Sequence, residues 1–209
     1  MSSYKLTYFN WRGRGEVSRM ILTKAGVKFQ DNRIELEDWP ALKEKTNIPF
    51  DQLPILEVDG KVLSQSFCIE KFLGKRFGMF GNDEFEEALI GSIVLNMEDF
   101  VKLPFDITFE GFNDEDKAKF SDQFIKKLPR YLTLLERQLA SNPCNSGYFV
   151  GEKMSVADIR FVAFAPIAYF VDGAEINWDD YPKLKDLIIK MESDPQIGPM
   201  FKARSPFKS

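Results

Sequence analysis

The hydrophobic period of this chain changes once, and that change limits the folds open to it. Up to Gly78 short runs of strand-forming residues alternate with helical spacings; beyond the polar stretch Asn82 to Glu87 no period-two segment occurs and only helical spacings remain. Lys5-Leu6-Thr7-Tyr8-Phe9 reads as a strand running into Asn10-Trp11-Arg12-Gly13-Arg14-Gly15, whose glycines mark a loop. From Glu16, Val17, Met20, Ile21 and Ala25 recur on one helical face, and Gly26 supplies the stop. A second strand is expected from Phe29 to Ile34. Leu53 to Val58, Asp59-Gly60 and Lys61 to Leu63 form a hairpin signal, because Asp-Gly tolerates the positive φ values of a tight turn. Ile69, Phe72, Leu73 and Phe77 then mark one face of a helix closed by Gly78.

The order β-α-β, β-hairpin, helix suits a small mixed sheet covered by helices, a compact domain of about eighty residues. Four helices are expected after it: Glu84 to Phe109, Asp114 to Ala140 with a kink at Pro129, Ser155 to Val171, and Tyr181 to Ser193. Ser155-Val156-Ala157-Asp158 is a capping box with Asp in place of Glu, set before an apolar run, and reads as structural.

Composition removes whole classes of function. The 209 residues include no histidine, which excludes Ser-His and Cys-His catalysis, most zinc sites and the usual proton shuttle. Chemistry must then use Tyr, Arg, Lys, carboxylates or a bound cosubstrate. A formal net charge of −4 argues against a nucleic-acid partner, since that affinity rests on clustered Lys and Arg. No basic leader followed by an apolar run opens the sequence, and no long uncharged apolar stretch occurs, so the expectation is a cytoplasmic protein without a membrane partner. Cys68 and Cys144 have neither metal-ligand nor CxxC spacing and read as free thiols; no metal site is expected.

Several motifs in order carry a resemblance: Tyr8-Phe9 before Arg12-Gly13-Arg14-Gly15-Glu16; Asp38-Trp39-Pro40 with Lys43; Gln52-Leu53-Pro54-Ile55-Leu56-Glu57-Val58-Asp59-Gly60; and Gln65-Ser66. Together they resemble the cytosolic glutathione transferases, above all the sigma class and its nematode relatives, which include the haematopoietic-type prostaglandin D synthases. The resemblance spans essentially the whole chain. It implies a thioredoxin-like glutathione-binding domain over residues 1–80 and an all-helical domain over 84–209 that forms the hydrophobic acceptor site.

By this resemblance Tyr8 is the catalytic tyrosine; taken alone it is one more strand aromatic. A phenol hydroxyl that donates to a thiol sulfur favours the thiolate, the nucleophilic form. Arg14 is implied as a positive charge near that thiolate. Gln65 and Ser66, opening a helix, would take the γ-glutamyl carboxylate at its N-terminus. Leu53, before a cis Pro54, would pair its main chain with the cysteinyl unit as an added strand does. Trp39, Lys43 and Gln52 would reach the glycine end, and Asp99 would cross a two-fold axis to the γ-glutamyl ammonium in the neighbouring subunit. Phe9, Phe105 and Phe201 are the acceptor-site candidates. The chain departs from the family pattern in carrying Pro49-Phe50-Asp51 where relatives show Pro-Phe-Gly, within a longer stretch from Trp39 to Gln52.

The implied protein is a homodimeric enzyme that uses glutathione as cosubstrate, with no tightly bound cofactor, and conjugates it to hydrophobic electrophiles. Two alternatives stay open: a glutathione-dependent prostaglandin-H2 D-isomerase, and a carrier of hydrophobic ligands or crystallin-like structural protein.

Overall fold

A computed structural model describes residues 2–45, 48–109, 113–166, 171 and 173–202, with backbone only at 45, 103–109 and 202. The chain divides into two compact units, Met1–Phe80 and Gly81–Ser209.

The first unit is a four-stranded mixed sheet with helices. Strand β1 (Tyr4–Phe9) leads through a 3-10 turn at Gly13–Gly15 to helix α1 (Glu16–Lys24) and strand β2 (Gln30–Ile34). Helix α2 (Trp39–Lys45), hairpin strands β3 (Ile55–Val58) and β4 (Lys61–Ser64), and helix α3 (Ser66–Arg76) follow. The strand order is β2-β1-β3-β4, with β1 parallel to β2 and antiparallel to β3. A parallel pair needs a crossover, and α1 supplies it. Leu6 and Leu56, opposite each other on β1 and β3, are fully buried together with Val17, Met20, Ile21, Ile69 and Leu73. At roughly 1.5–3 kcal/mol for each buried aliphatic side chain, that layer is the main force holding the sheet to α1 and α3. The hairpin turns at Asp59 and Gly60, both at positive φ (50° and 81°), as the Asp-Gly pair predicts.

Two expectations for this unit need correction. Phe72 does not share the buried face of α3; it is 36% exposed and lies against Arg76, and the helix buries Ile69, Glu70, Leu73 and Gly74 instead. Helix α2 was not expected at all, being too short for an apolar period to declare itself.

Among its described residues the second unit has helices joined by loops and no strand: α4 (Glu84–Phe109), α5 (Asp114–Ala140), α6 (Val156–Phe164), α7 (Pro182–Glu192) and α8 (Gly198–Lys202). The polar run after Gly81 is the cap of α4, where Asp83 Oδ1 accepts from the N–H groups of Phe85 and Glu86 at 2.9 and 2.8 Å. Helix α5 continues through Pro129. Helix α6 is buried on almost every side, as befits the centre of a helical bundle. The α-helix ends earlier than the expected Val171: Pro166 lacks the N–H that would continue the ladder, so it stops at Phe164 and passes into a 3-10 turn at 165–166, with Ala165 still in the helical region. The end of the expected span, 167–170, lies outside the described residues. Both N–H groups at the start of α7, those of Lys183 and Leu184, donate to the Glu136 carboxylate on α5 at 2.9 Å, a cap supplied from another helix.

The capping box of α6 is built as its spelling suggests. The Ser155 N–H and hydroxyl each donate to Asp158 Oδ2 at 2.7 Å, and the Phe149 N–H donates to Oδ1 at 2.8 Å. Asp158 is fully buried, and that burial, opposed by these hydrogen bonds, pushes its carboxyl up to about 6.

Candidate functional site

The end of β1, the starts of α2 and α3 and the segment leading into β3 converge on one cleft of about 240 Å³ in the first unit, lined by Phe9, Arg14, Trp39, Asp51, Gln52, Leu53, Pro54, Gln65 and Ser66. Tyr8 and Lys43 are not in its wall. Each is tied to a residue that is: the Tyr8 hydroxyl accepts from the Arg14 backbone N–H at 3.1 Å, and Lys43 Nζ lies 3.8 Å from Asp51 Oδ2.

Tyr8 is only 4% exposed. Burial raises its phenol above the ordinary value, while the Arg14 N–H, the Trp11 side chain and the charges of Arg14 and Arg19 pull it back. The net upward direction keeps the phenol protonated at neutral pH. With one lone pair taken by the Arg14 N–H, the hydroxyl retains its proton to donate. The loop glycines permit this arrangement. A Cβ on Gly13, itself at φ +39°, would stand 2.6 Å from the Tyr8 oxygen, and one on Gly15 would stand 2.7 Å from the ring. The sequence marks these glycines as loop formers; their second task, making room for the phenol, is visible only in the packing.

Arg19 organises the same loop, and no motif in the sequence singles it out. It is 2% exposed, and its Nε donates to both oxygens of Asp31 on β2 at 3.0 and 3.1 Å. Nη1 donates to the carbonyls of Trp11 and Arg12 at 2.9 and 3.3 Å and to Glu16 at 3.4 Å; Nη2 donates to the Phe9 carbonyl at 3.3 Å. One guanidinium thus holds the chain from Phe9 to Arg12 against α1 and β2. The available signal was a cation between Val17 and Met20, inside an apolar helical face.

On the far wall, the Leu53–Pro54 bond is cis, and Gln65 Nε2 donates to Gln52 Oε1 at 2.9 Å. Ser66 opens α3 directly after Gln65, which is held at φ 70°. The first N–H groups of an eleven-residue helix therefore meet the cleft where Gln65 and Ser66 line it, an arrangement suited to a carboxylate. Phe9 and Trp39 meet edge to face, with ring centroids 5.8 Å apart. The cleft wall accordingly combines the polar side chains of Arg14, Asp51, Gln52, Gln65 and Ser66 with the rings of Phe9 and Trp39.

The remaining candidates belong to the helical unit. Asp99 is exposed on α4, and Phe201 is buried on α8. Phe105 falls on α4, but its side chain lies outside the described residues. Glu98, next to Asp99, pairs with the buried Arg160 of α6. Among the described residues no cluster of three or more His, Cys, Asp or Glu could hold a metal ion, and no helix is long and apolar enough to cross a membrane.

Comparison with known proteins meets this geometry. Residues 4–75 match the glutathione S-transferase N-terminal domain, and residues 98–204 match the C-terminal domain. Glutathione S-transferase 1 of Ascaris suum is 46% identical over 162 residues, covering 76% of this chain and 77% of that one. The hematopoietic prostaglandin D synthase of Gallus gallus is 36% identical over 98% of both chains. Among solved structures, a nematode-specific transferase of Caenorhabditis elegans superposes with a TM-score of 0.86 at 35% identity, over 99% of this chain and 100% of that one. The monomeric Na-GST-3 of Necator americanus gives 0.84 at 34% over the same shares. The chain belongs to the glutathione S-transferase family, in the neighbourhood of the nematode and sigma-type enzymes. Its thioredoxin-like unit followed by a helical unit is the fold of that family, and glutathione is the family's substrate.

Proposed function

We propose that this transferase ionises the glutathione thiol with the Tyr8 hydroxyl and conjugates the resulting thiolate to hydrophobic electrophiles. The observation that carries this reading is the Tyr8 phenol itself: buried, kept protonated, and bonded as acceptor to the Arg14 N–H, so that its own proton is free to donate. A free thiol has a pKa near ~8.5, so little thiolate exists at neutral pH. One hydrogen bond to the charged sulfur, worth about 1.5–3 kcal/mol, lowers that value by roughly one to two units. The thiol proton passes to solvent, the sulfur attacks the electrophile, and the leaving group departs with the displaced electron pair. Arg14 adds positive charge beside the sulfur.

The rest of the cleft binds and orients. Gln65, Ser66 and the α3 N-terminus hold the γ-glutamyl carboxylate, the Leu53 main chain holds the cysteinyl unit, and Trp39, Lys43 and Gln52 face the glycyl end. Phe9, Phe105 and Phe201 contribute to the electrophile site. The enzyme acts as a homodimer in which Asp99 of each subunit serves the other's glutathione. Its compartment is the cytoplasm, a reading supported by two cysteines that are both exposed and free.

Tyr8→Phe tests the core of this mechanism. Glutathione affinity should stay within about twofold while turnover falls about tenfold or more, the factor for 1.4 kcal/mol. The thiolate absorbance of bound glutathione should then titrate at higher pH. An unchanged turnover and titration would remove Tyr8 from the mechanism. Turnover of a prostaglandin endoperoxide against an aromatic halide decides between conjugation and the isomerase activity named in the Gallus gallus relative.

A further inference from the structure

Asp51 introduces a negative charge into a cleft that otherwise suits an anionic peptide. It lines the wall beside Trp39 and Gln52, and its carboxylate faces Lys43 at 3.8 Å. Both side chains remain within reach of a ligand, at 43% exposure for Lys43 and 59% for Asp51. The backbone that presents the carboxylate is unusual. Phe50 and Asp51 are consecutive non-glycine residues at positive φ, 58° and 51°, in a 3-10 turn closed by the Asp51 N–H on the Ile48 carbonyl at 3.1 Å. Glycine adopts this conformation without strain, and an aspartate does so only at a cost. The turn thus sets a carboxylate beside Lys43, on the rim of the cleft that Asp51 lines.

We propose that Asp51 is a specificity-determining residue: it neutralises Lys43 and so weakens the preference of the cleft for a free carboxylate at the glycyl end of its thiol peptide. A glycyl carboxylate must displace Asp51 from Lys43 and also lie near a like charge. A neutral glycyl ester or amide meets neither penalty. Trp39 and Gln52 provide N–H donors that serve both kinds of ligand. The inference rests on the proposed placement of the glycyl end at Trp39, Lys43 and Gln52.

The test is calorimetric binding of glutathione and its glycyl monoethyl ester to four proteins: wild type, Asp51→Asn, Lys43→Met and the double variant. Asparagine accepts positive φ as readily as aspartate, so the turn is kept; Asp51→Gly is a second neutral variant with an unstrained backbone. Wild type should bind the two ligands within about threefold of each other, and Asp51→Asn should bind glutathione about fivefold tighter with the ester unchanged, as for an exposed charge pair. Asp51→Gly should show the same gain, and the double variant should lose it. Equal tightening of both ligands in Asp51→Gly alone would trace the effect to relieved strain, and equal tightening in Asp51→Asn as well would show that the glycyl charge is not what Asp51 opposes; either overturns the proposal. So would unchanged binding in Asp51→Asn when Lys43→Met selectively weakens glutathione; the glycyl placement would then stand without Asp51. If neither single variant affects either ligand, the glycyl end lies elsewhere and the placement falls with the inference.

Discussion

A Cβ added to Gly13 would lie 2.6 Å from the hydroxyl oxygen of Tyr8, closer than a carbon and an oxygen can pack, and 3.2 Å from Nε1 of Trp11. The φ of Gly13, +39°, adds backbone strain to that clash. Gly13→Ala must therefore displace the phenol or distort the loop whose Arg14 N–H orients it. The expected outcome is a folded enzyme with a thermal midpoint a few degrees lower, as about 1 kcal/mol implies for a chain of this size. Its turnover should fall about tenfold or more with a smaller change in glutathione affinity. Steady-state kinetics and a melting curve check it; a variant with wild-type kcat would show that the hydroxyl position is not critical.

Arg19 makes the second prediction. Replacing it with methionine leaves Glu16, almost fully buried, and Asp31 without the guanidinium that bridges them. Breaking a buried ion pair from one side costs about 3–5 kcal/mol. Three backbone carbonyls of the loop, those of Phe9, Trp11 and Arg12, lose their donor as well. Urea unfolding should show a loss of that order for Arg19→Met and a smaller one for Arg19→Lys, which keeps the charge but not the fork of donors. A loss below about 1 kcal/mol in Arg19→Met would mean that water replaces the guanidinium at little cost.

How much of this was legible beforehand follows from the range of each interaction. The strand, loop and helix around Tyr8, the Asp-Gly hairpin and the long helices declare themselves through local periodicity and turn chemistry, and the structure has them where the spacing put them. Helix α2 spans only seven residues, too few for a period, and the end of α6 is set by Pro166 against an apolar pattern that continues past it. Phe72 shows the same limit: at helical spacing it fits the apolar stripe, yet it is exposed while Glu70 is buried. At the site, the residues that line the cleft were named through a pattern of motifs in order. Contacts from Arg19 to Asp31, from Gly13 to Tyr8 and from Lys43 to Asp51 join residues distant along the chain or close only because of a turn, and no periodicity announces them.

Asp158 makes stability depend on pH. Its carboxyl is raised from 3.8 to about 6 because burial outweighs the three donors it accepts from. A raised carboxyl takes up a proton on folding, so its stabilising contribution is complete below about pH 4 and is lost as pH rises through about 6. Asp158→Asn has no such titration. The stability of wild type relative to Asp158→Asn should therefore fall between pH 4 and pH 7 by an amount on the order of 1–3 kcal/mol. Urea unfolding of both proteins across that window reads the difference directly. A relative stability that rises with pH would mean that the capping hydrogen bonds dominate and the folded carboxylate is ionised throughout.

The last prediction concerns Asp99, exposed on α4 and adjacent to the Glu98 that pairs with Arg160. Glu98 is held by that pair, whereas the exposed Asp99 is open to a ligand from outside its own unit. Gln65 and Ser66 provide for the γ-glutamyl carboxylate, and neither can balance the ammonium beside it; a carboxylate can. If Asp99 serves a glutathione bound by the other subunit, two identical sites each borrow one residue across a two-fold axis. Tyr8→Phe and Asp99→Ala should then each be impaired as homodimers. A purified hybrid of the two variants should recover about half of wild-type activity, because one of its sites carries both defects and the other neither. Sedimentation at assay concentration must show a dimer, a requirement sharpened by the monomeric state named for Na-GST-3, 34% identical to this chain. A monomer with full activity would end the sharing scheme outright. A hybrid no more active than the mean of its parents would confine any role of Asp99 to its own chain.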